Sequence, residues 1–258
     1  MLLLLKLFLA PVLIAIVTLG ARRWGPRVGG WLTGLPTVAG PTLVFYAFEQ
    51  GPPFAARASH ATLVGLVAIP WFCVAYAYVG KRHGWAVSLI AGWATFVLGI
   101  AFLSVREINL LVTWALLAVS CAAGYAALPA HTPVSAERVH SKWDLPSRML
   151  AAAVLVTVLT AIADILGPQL SGLLAPFPVA TAIVAAFTHT QRGVDAVVAF
   201  FRGFLPALVS FGLFCAALAV ALEPLGVGLA LTLALALQLS TQIVTLWRMT
   251  PAPLETRV

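Results

Sequence analysis

The sequence predicts an all-α polytopic membrane protein, and two observations carry that prediction. Hydrophobic residues fill 62% of the 258 positions and charged residues fill 9%, whereas a soluble domain is about 25% charged. Uncharged apolar runs of about 20 residues, the length that crosses a bilayer as a helix, recur along the chain. Because backbone amides and carbonyls in lipid must pair within their own segment, we expect these runs to be helical.

The apolar runs predict about nine membrane spans. We interpret the first as a retained helix rather than a signal peptide, because Arg22 and Arg23 follow its apolar core instead of preceding it. The polar segment 129–146 is the one long connection and divides the chain into halves. The expected spans are 2–20, 29–50, 59–80, 84–104, 108–128, 147–166, 170–190, 197–221 and 225–247.

Positive charges in the short loops predict the orientation of the chain. With the N-terminus outside and the C-terminus cytoplasmic, the inside segments hold twelve lysines and arginines and the outside segments hold three. Membrane proteins show this positive-inside bias. We therefore attribute the net charge of +7 to insertion in a bacterial inner (plasma) membrane, with the lipid bilayer as partner and no nucleic acid.

An internal repeat relates the two halves at a fixed spacing of 142 residues. Matches of Gly, Pro, Phe and Cys carry more weight here than matches of Ala or Leu, which are abundant throughout. The matched pairs include Gly25 with Gly167, Gly30 with Gly172, Pro36 with Pro178, Gly51 with Gly193, Phe72 with Phe214 and Cys73 with Cys215.

The repeat predicts two four-helix units joined by a central helix. The first unit is 1–104, the connecting helix and polar linker are 105–146, the second unit is 147–250, and 251–258 is a tail. An odd helix between the units inverts the second unit in the membrane. The loop charges agree, since RRWGPR carries three arginines and its counterpart LGPQLSG carries none. Inverted repeats are a recurring architecture of secondary transporters.

Helix-breaking residues interrupt the second and seventh spans at corresponding places. Proline removes a backbone hydrogen bond and glycine permits tight turns, and paired interruptions of this kind point to a transport site. The threonines beside them could line that site or could re-pair the backbone groups that proline frees. The candidate transport residues here are Pro36, Thr37, Gly40, Pro41, Pro178 and Thr181.

Polar residues at span ends and within the last span complete the candidate site. Glu49 and its repeat counterpart Gln191 could carry a proton or a cationic group, or could lie solvated at the interface. His189 could titrate near neutral pH, although an interfacial histidine is the favoured interpretation. Gln238 and Gln242 share one helical face and could line a polar cavity or hydrogen-bond neighbouring helices.

No catalytic or metal-binding motif is found in the sequence. It contains no Walker loop, no G-x-S-x-G and no metal-spaced His/Cys cluster. The three cysteines lie within apolar runs and are interpreted as small buried hydrophobes. We therefore expect no enzymatic activity and no cofactor.

The segment SGLLAPFPVATAIVAAFTHTQRGVDAVVAFFRGFLP resembles the GlpM-like family of small bacterial inner-membrane proteins, and GGWLTGLPTVAGPTLVFYAFEQG resembles the same unit. The resemblance implies two fused four-helix units of a kind that elsewhere occur singly. The paired arrangement is also similar to the small drug/metabolite transporters. This chain lacks their membrane-central glutamate in the first span, which argues against a proton-coupled multidrug mechanism.

These observations favour a secondary transporter or permease of a small neutral or amphipathic metabolite, working by alternating access of the inverted repeats. The alternative is a non-transporting scaffold or assembly protein of envelope biosynthesis, and a homodimer is compatible with either. A cavity bordered by Pro36, Pro178 and Glu49 would favour transport, and a tightly packed centre would favour the scaffold.

Overall fold

The computed structural model of the chain describes residues 2–36, 39–104, 108–130, 132, 143–166 and 177–249. Every regular element in these ranges is an α-helix, which confirms the all-α fold class. The helices are α1 (Leu2–Trp24), α2 (Pro26–Thr33), α3 (Ala39–Glu49), α4 (Pro52–Leu66), α5 (Ile69–Gly80), α6 (Trp85–Ser104), α7 (Leu110–Ala127), α8 (Asp144–Leu166) and α9 (Val179–Met249).

Helix α9 consists of three segments separated by two glycines. Gly193 (φ 76°) and Gly226 (φ 72°) have left-handed backbone conformations that glycine adopts without a Cβ clash. We call 179–192 the first segment, 194–225 the middle segment and 227–249 the last segment. Gly193 falls in the loop predicted between residues 190 and 197, whereas Gly226 lies just inside the last predicted span, 225–247.

Four helical stretches in the described ranges are long and apolar enough to cross a membrane. They are Pro52–Gly80, Trp85–Ser104, Leu110–Ala127 and Val179–Trp247. Length and composition therefore agree with a membrane protein. The count of nine spans, their orientation and the repeat remain predictions.

The expected interruption of the second span is present. Helix α2 ends at Thr33, and α3 begins at Ala39. Pro36 lies buried in the break, whereas Gly40 and Pro41 lie in the first turn of α3. Backbone N–H groups in a first turn make no hydrogen bond within the helix, so proline is tolerated there although it has no N–H. Thr37 lies outside the described residues. So do residues 170–176 of the seventh span, and Pro178 directly precedes α9.

A further interruption was not predicted from the sequence. The third expected span, 59–80, is divided between α4 and α5, and Val67 and Ala68 separate them. Pro70 lies in the first turn of α5 and cannot donate to the preceding turn. The two helices still form one continuous apolar stretch.

The middle segment of α9 lies at the centre of the bundle, where α2, α4, α5 and α7 pack against it. Its core is aromatic. The Phe72 ring of α5 lies 6.3 Å from the Phe201 ring, and the Tyr76 ring lies 5.8 Å from it, both edge to face. All three side chains are completely buried. Edge-to-face packing of this kind fills the centre with apolar contacts.

Two pairs of helices in the bundle run antiparallel. Along α4–α5 and the middle segment of α9, Leu63 packs beside Gly212, Phe72 against Phe201, and Gly80 beside Val194, so residue numbers rise on one side as they fall on the other. In the second pair, Arg22 at the end of α1 contacts Asp144 at the start of α8. Farther along, Ile14 and Ala152 share one apolar cluster.

Candidate functional site

Two buried glutamines of the last segment of α9 hydrogen-bond to backbone carbonyls at the C-terminal end of α2. The Gln238 amide nitrogen donates to the Gly34 carbonyl at 3.1 Å, and the Gln242 amide nitrogen donates to the Trp31 carbonyl at 2.8 Å. The two side chains are joined by a 3.0 Å bond from Gln238 Nε2 to Gln242 Oε1. Trp31 returns a bond from its indole nitrogen to the Gln242 carbonyl at 3.0 Å.

This arrangement accounts for polar side chains in an apolar helix. Carbonyls at a helix end lack the amide partner of a following turn, and in lipid they must find another donor. The Gln238 amide, 0% exposed, supplies that donor to the Gly34 carbonyl, and the Gln242 amide, 1% exposed, adds a second donor to the Trp31 carbonyl, which also accepts from the Gly34 backbone N–H at 3.2 Å. Of the two interpretations left open by the sequence, hydrogen bonding between helices describes the observed contacts.

A crevice of about 360 Å³ lies beside the glutamine pair. It runs between α7 and the middle and last segments of α9, and its volume is in the range of small-molecule sites. The hydroxyls of Ser240 and Thr241 bond to carbonyls of their own helix, at 2.7 and 2.8 Å, which leaves their methyl and methylene groups to the lining. Residues lining the crevice include Trp114, Val209, Ser210, Leu213, Thr241 and Val244.

One polar group of the crevice wall has no hydrogen-bond partner among the described residues. The Trp114 indole nitrogen is buried and lacks an acceptor. Burying an unpaired polar group costs about 1–3 kcal/mol. The crevice therefore combines an apolar lining with unused hydrogen-bonding capacity.

The residues predicted to border a central cavity line neither of these two cavities. Pro36, Pro178 and Glu49 are absent from the walls of both the crevice and the second, smaller cavity. Glu49 is exposed at the end of α3, and Pro178 and Thr181 are buried at the start of α9. Gly40 packs toward the Phe214 ring. The centre is packed in this conformation.

His189 is partly buried at the edge of the bundle centre. Its Nδ1 lies 3.3 Å from the Tyr76 hydroxyl, and the two rings are 5.9 Å apart. Since Tyr76 belongs to α5 and His189 to the first segment of α9, the pair joins the two halves of the chain.

A charge cluster joins α1, α8 and the first segment of α9. Asp144 accepts hydrogen bonds from Arg22 Nη2 at 2.5 Å, from Arg148 Nε at 2.8 Å and from the Gln191 amide. Arg148 also donates to the Gln191 amide oxygen at 2.8 Å and stacks over Phe187. Burial raises the pKa of the Asp144 carboxyl, but the hydrogen bonds from its three partners outweigh burial and hold that pKa below its usual range.

A second ion pair joins α5 to the middle segment of α9. Lys81 donates to Asp195 at 2.5 Å, and the same carboxylate accepts from the Thr132 hydroxyl at 2.5 Å. Lys81 also donates to the Ala130 carbonyl. Sequence reasoning had treated Lys81 and Arg148 only as orientation signals and had not singled out Asp144 or Asp195. One sequence signal could have identified these two acids: each lies at the start of a helix, next to basic residues of the same loop.

Comparison of the chain with protein families, with curated proteins and with solved structures finds no match. The described residues also contain no cluster of three or more His, Cys, Asp or Glu side chains that could hold a metal ion.

Proposed function

We propose that the chain is an inner-membrane permease that moves a small neutral or amphipathic metabolite by alternating access of two inverted repeats. The antiparallel packing of corresponding helices carries the proposal. A shift of 142 residues relates α1 to α8, and α4–α5 to the middle segment of α9. A two-fold axis in the membrane plane makes each such pair antiparallel, whereas an axis along the membrane normal would make it parallel.

The backbone at one matched glycine pair supports the same relation. Gly51 has φ 89° and ψ 161°, and its counterpart Gly193 has φ 76° and ψ 175°. Each lies directly before the helix that packs at the bundle centre. Two residues 142 positions apart therefore have the same backbone conformation, one that glycine adopts far more readily than other residues.

The crevice supports an amphipathic substrate. It lies at the side of the bundle, where Val244 is 47% exposed, so a molecule could enter it from the lipid. The ion pairs of Asp144 and Asp195 lie in segments that the loop charges place on the cytoplasmic side. In this proposal those pairs close the cytoplasmic side and must open during transport.

The alternative is a scaffold or assembly protein of the envelope, and one observation favours it. Pro36 is buried in the helix break, the carbonyls of Trp31 and Gly34 are paired with Gln242 and Gln238, and among the described residues Pro36 lines neither of the two cavities. A permease must therefore open this region in a second conformation that a scaffold does not need.

Flux measurements on purified protein in liposomes test the proposal. We expect uptake of at least one compound in a panel of neutral and amphipathic metabolites. The crevice variant Val244→Trp should reduce that uptake at least about tenfold, whereas Val220→Trp, at a 62% exposed position outside the crevice, should leave it unchanged. Absence of flux across the panel, with the protein folded, would favour the scaffold.

A further inference from the structure

A small polar cavity lies against the charge cluster, where α1, α8 and the first segment of α9 meet. Its volume is about 20 Å³. A cavity needs roughly 10–15 Å³ by this measure to admit one water molecule, so a single oxygen-sized atom fits. The residues that matter for its chemistry are Thr18, Arg22, Asp144, Arg148, Thr188 and Arg192.

The cavity wall carries more positive than negative charge. Three arginines meet one carboxylate among the described residues. Both oxygens of Asp144 are already bonded, Oδ2 to Arg22 and Oδ1 to Arg148. Arg192 makes no ion pair or hydrogen bond within the described ranges. The guanidinium groups therefore retain donors that no described acceptor uses.

Thr18 adds an independent sign of a ligand. It is 2% exposed, lines the cavity, and its hydroxyl has no partner in the described structure. Several other hydroxyls in the bundle bond to the carbonyl one turn earlier, as Ser59 does to Ala55 at 2.8 Å and Thr62 to Ala58 at 2.8 Å. An unpaired hydroxyl at this degree of burial is costly, and an oxygen atom in the cavity would pair it.

We infer that this cavity binds a phosphate group, with one oxygen inside beside Thr18 and the others facing Arg22 and Arg192. Arginine suits this ligand because its planar donors match phosphate oxygens. The phosphate belongs either to an anionic lipid headgroup or to a soluble phosphate compound. The inference does not depend on transport, since a scaffold could hold the same group.

Thermal unfolding of the full-length protein in nanodiscs tests the inference and separates the two sources. One arm adds inorganic phosphate to phosphatidylcholine discs at constant ionic strength, with chloride as the comparison. The other arm replaces part of the phosphatidylcholine by phosphatidylglycerol. We expect the wild-type melting temperature to rise in at least one arm, and the responding arm identifies the source.

Three variants link that response to the cavity. Arg192→Gln and Thr18→Val should each weaken the apparent affinity for the responding phosphate about tenfold or more, and both should fold because neither residue has a described side-chain partner. Arg23→Gln is the matched control, since Arg23 is exposed and stacks on Trp24 outside the cavity. A wild-type protein that responds to neither source overturns the inference, as does an equal response of Arg192→Gln and Arg23→Gln.

Discussion

Replacing Gly30 by alanine would place a methyl group where α2 crosses the middle segment of α9. A Cβ atom there would lie 1.9 Å from the Phe200 carbonyl oxygen and 2.9 Å from the Phe204 backbone nitrogen. Ordinary contacts begin near 3.4 Å, so the two helices would have to part by about 1.5 Å. Since both opposing atoms belong to the backbone, no side chain can rotate away.

The expected cost follows from that displacement. Overpacking a core costs about 1–3 kcal/mol, and a backbone clash belongs at the upper end of that range. Alanine contributes about 1 kcal/mol of helix propensity in the opposite direction. We therefore expect Gly30→Ala to lower the free energy of unfolding by about 2 kcal/mol.

Reversible unfolding in mixed micelles, followed by tryptophan fluorescence, measures this loss. The control is Gly228→Ala, because a Cβ atom at Gly228 would meet no atom within 4 Å. We expect the control to match the wild type or exceed it slightly. If Gly30→Ala were as stable as Gly228→Ala, the close approach of α2 and α9 would be wrong, and the position of the broken helix with it.

Three further predictions use the same unfolding assay. Gln242→Leu should cost about 1–2 kcal/mol because it removes two buried hydrogen bonds, one from the Gln238 amide and one to the Trp31 carbonyl. Ser240→Ala, which removes only a bond within its own turn, should cost less than about 0.5 kcal/mol. Asp144→Leu should lower the free energy of unfolding by about 3–5 kcal/mol because it leaves the buried Arg148 charge without its partner. The pKa of Asp144 is held below its usual value of 3.8. The difference in unfolding free energy from the wild type should therefore be constant from about pH 5 to 7 and shrink only as the pH falls below about 4. Gly193→Ala should cost about 1–2 kcal/mol because of its positive φ, and a neutral result would contradict the kink in α9.

The interruption at Pro36 could be predicted because its cause is local. Proline lacks an N–H and glycine favours turns, so the letters alone locate the break. The spacing of Gln238 and Gln242 likewise placed both on one face. Their partners at Trp31 and Gly34 lie about 200 residues earlier, and no local rule connects them. That pairing depends on which helices become neighbours, which the sequence pattern does not state.

Other features could not be predicted because the residues that form them are ordinary for their local sequence. Pro70 lies within a continuous apolar run, so the run was interpreted as one helix although α4 and α5 are separate. Asp144 lies in the polar linker, where an acidic residue is ordinary, and its burial depends on Arg22 from the other half of the chain. Glu49, by contrast, is a predicted transport residue because it is an acid at the end of a span, and the structure places it on the surface.

The central position of the middle segment of α9 has a consequence for biosynthesis. Helices α2, α4, α5 and α7 leave the ribosome well before this segment, yet all of them pack on it. A chain that stops before residue 194 would leave their small and apolar contact faces open to lipid and to membrane proteases. The bundle therefore cannot form its core until this late segment is inserted, and we expect translation arrested before residue 194 to yield a short-lived product.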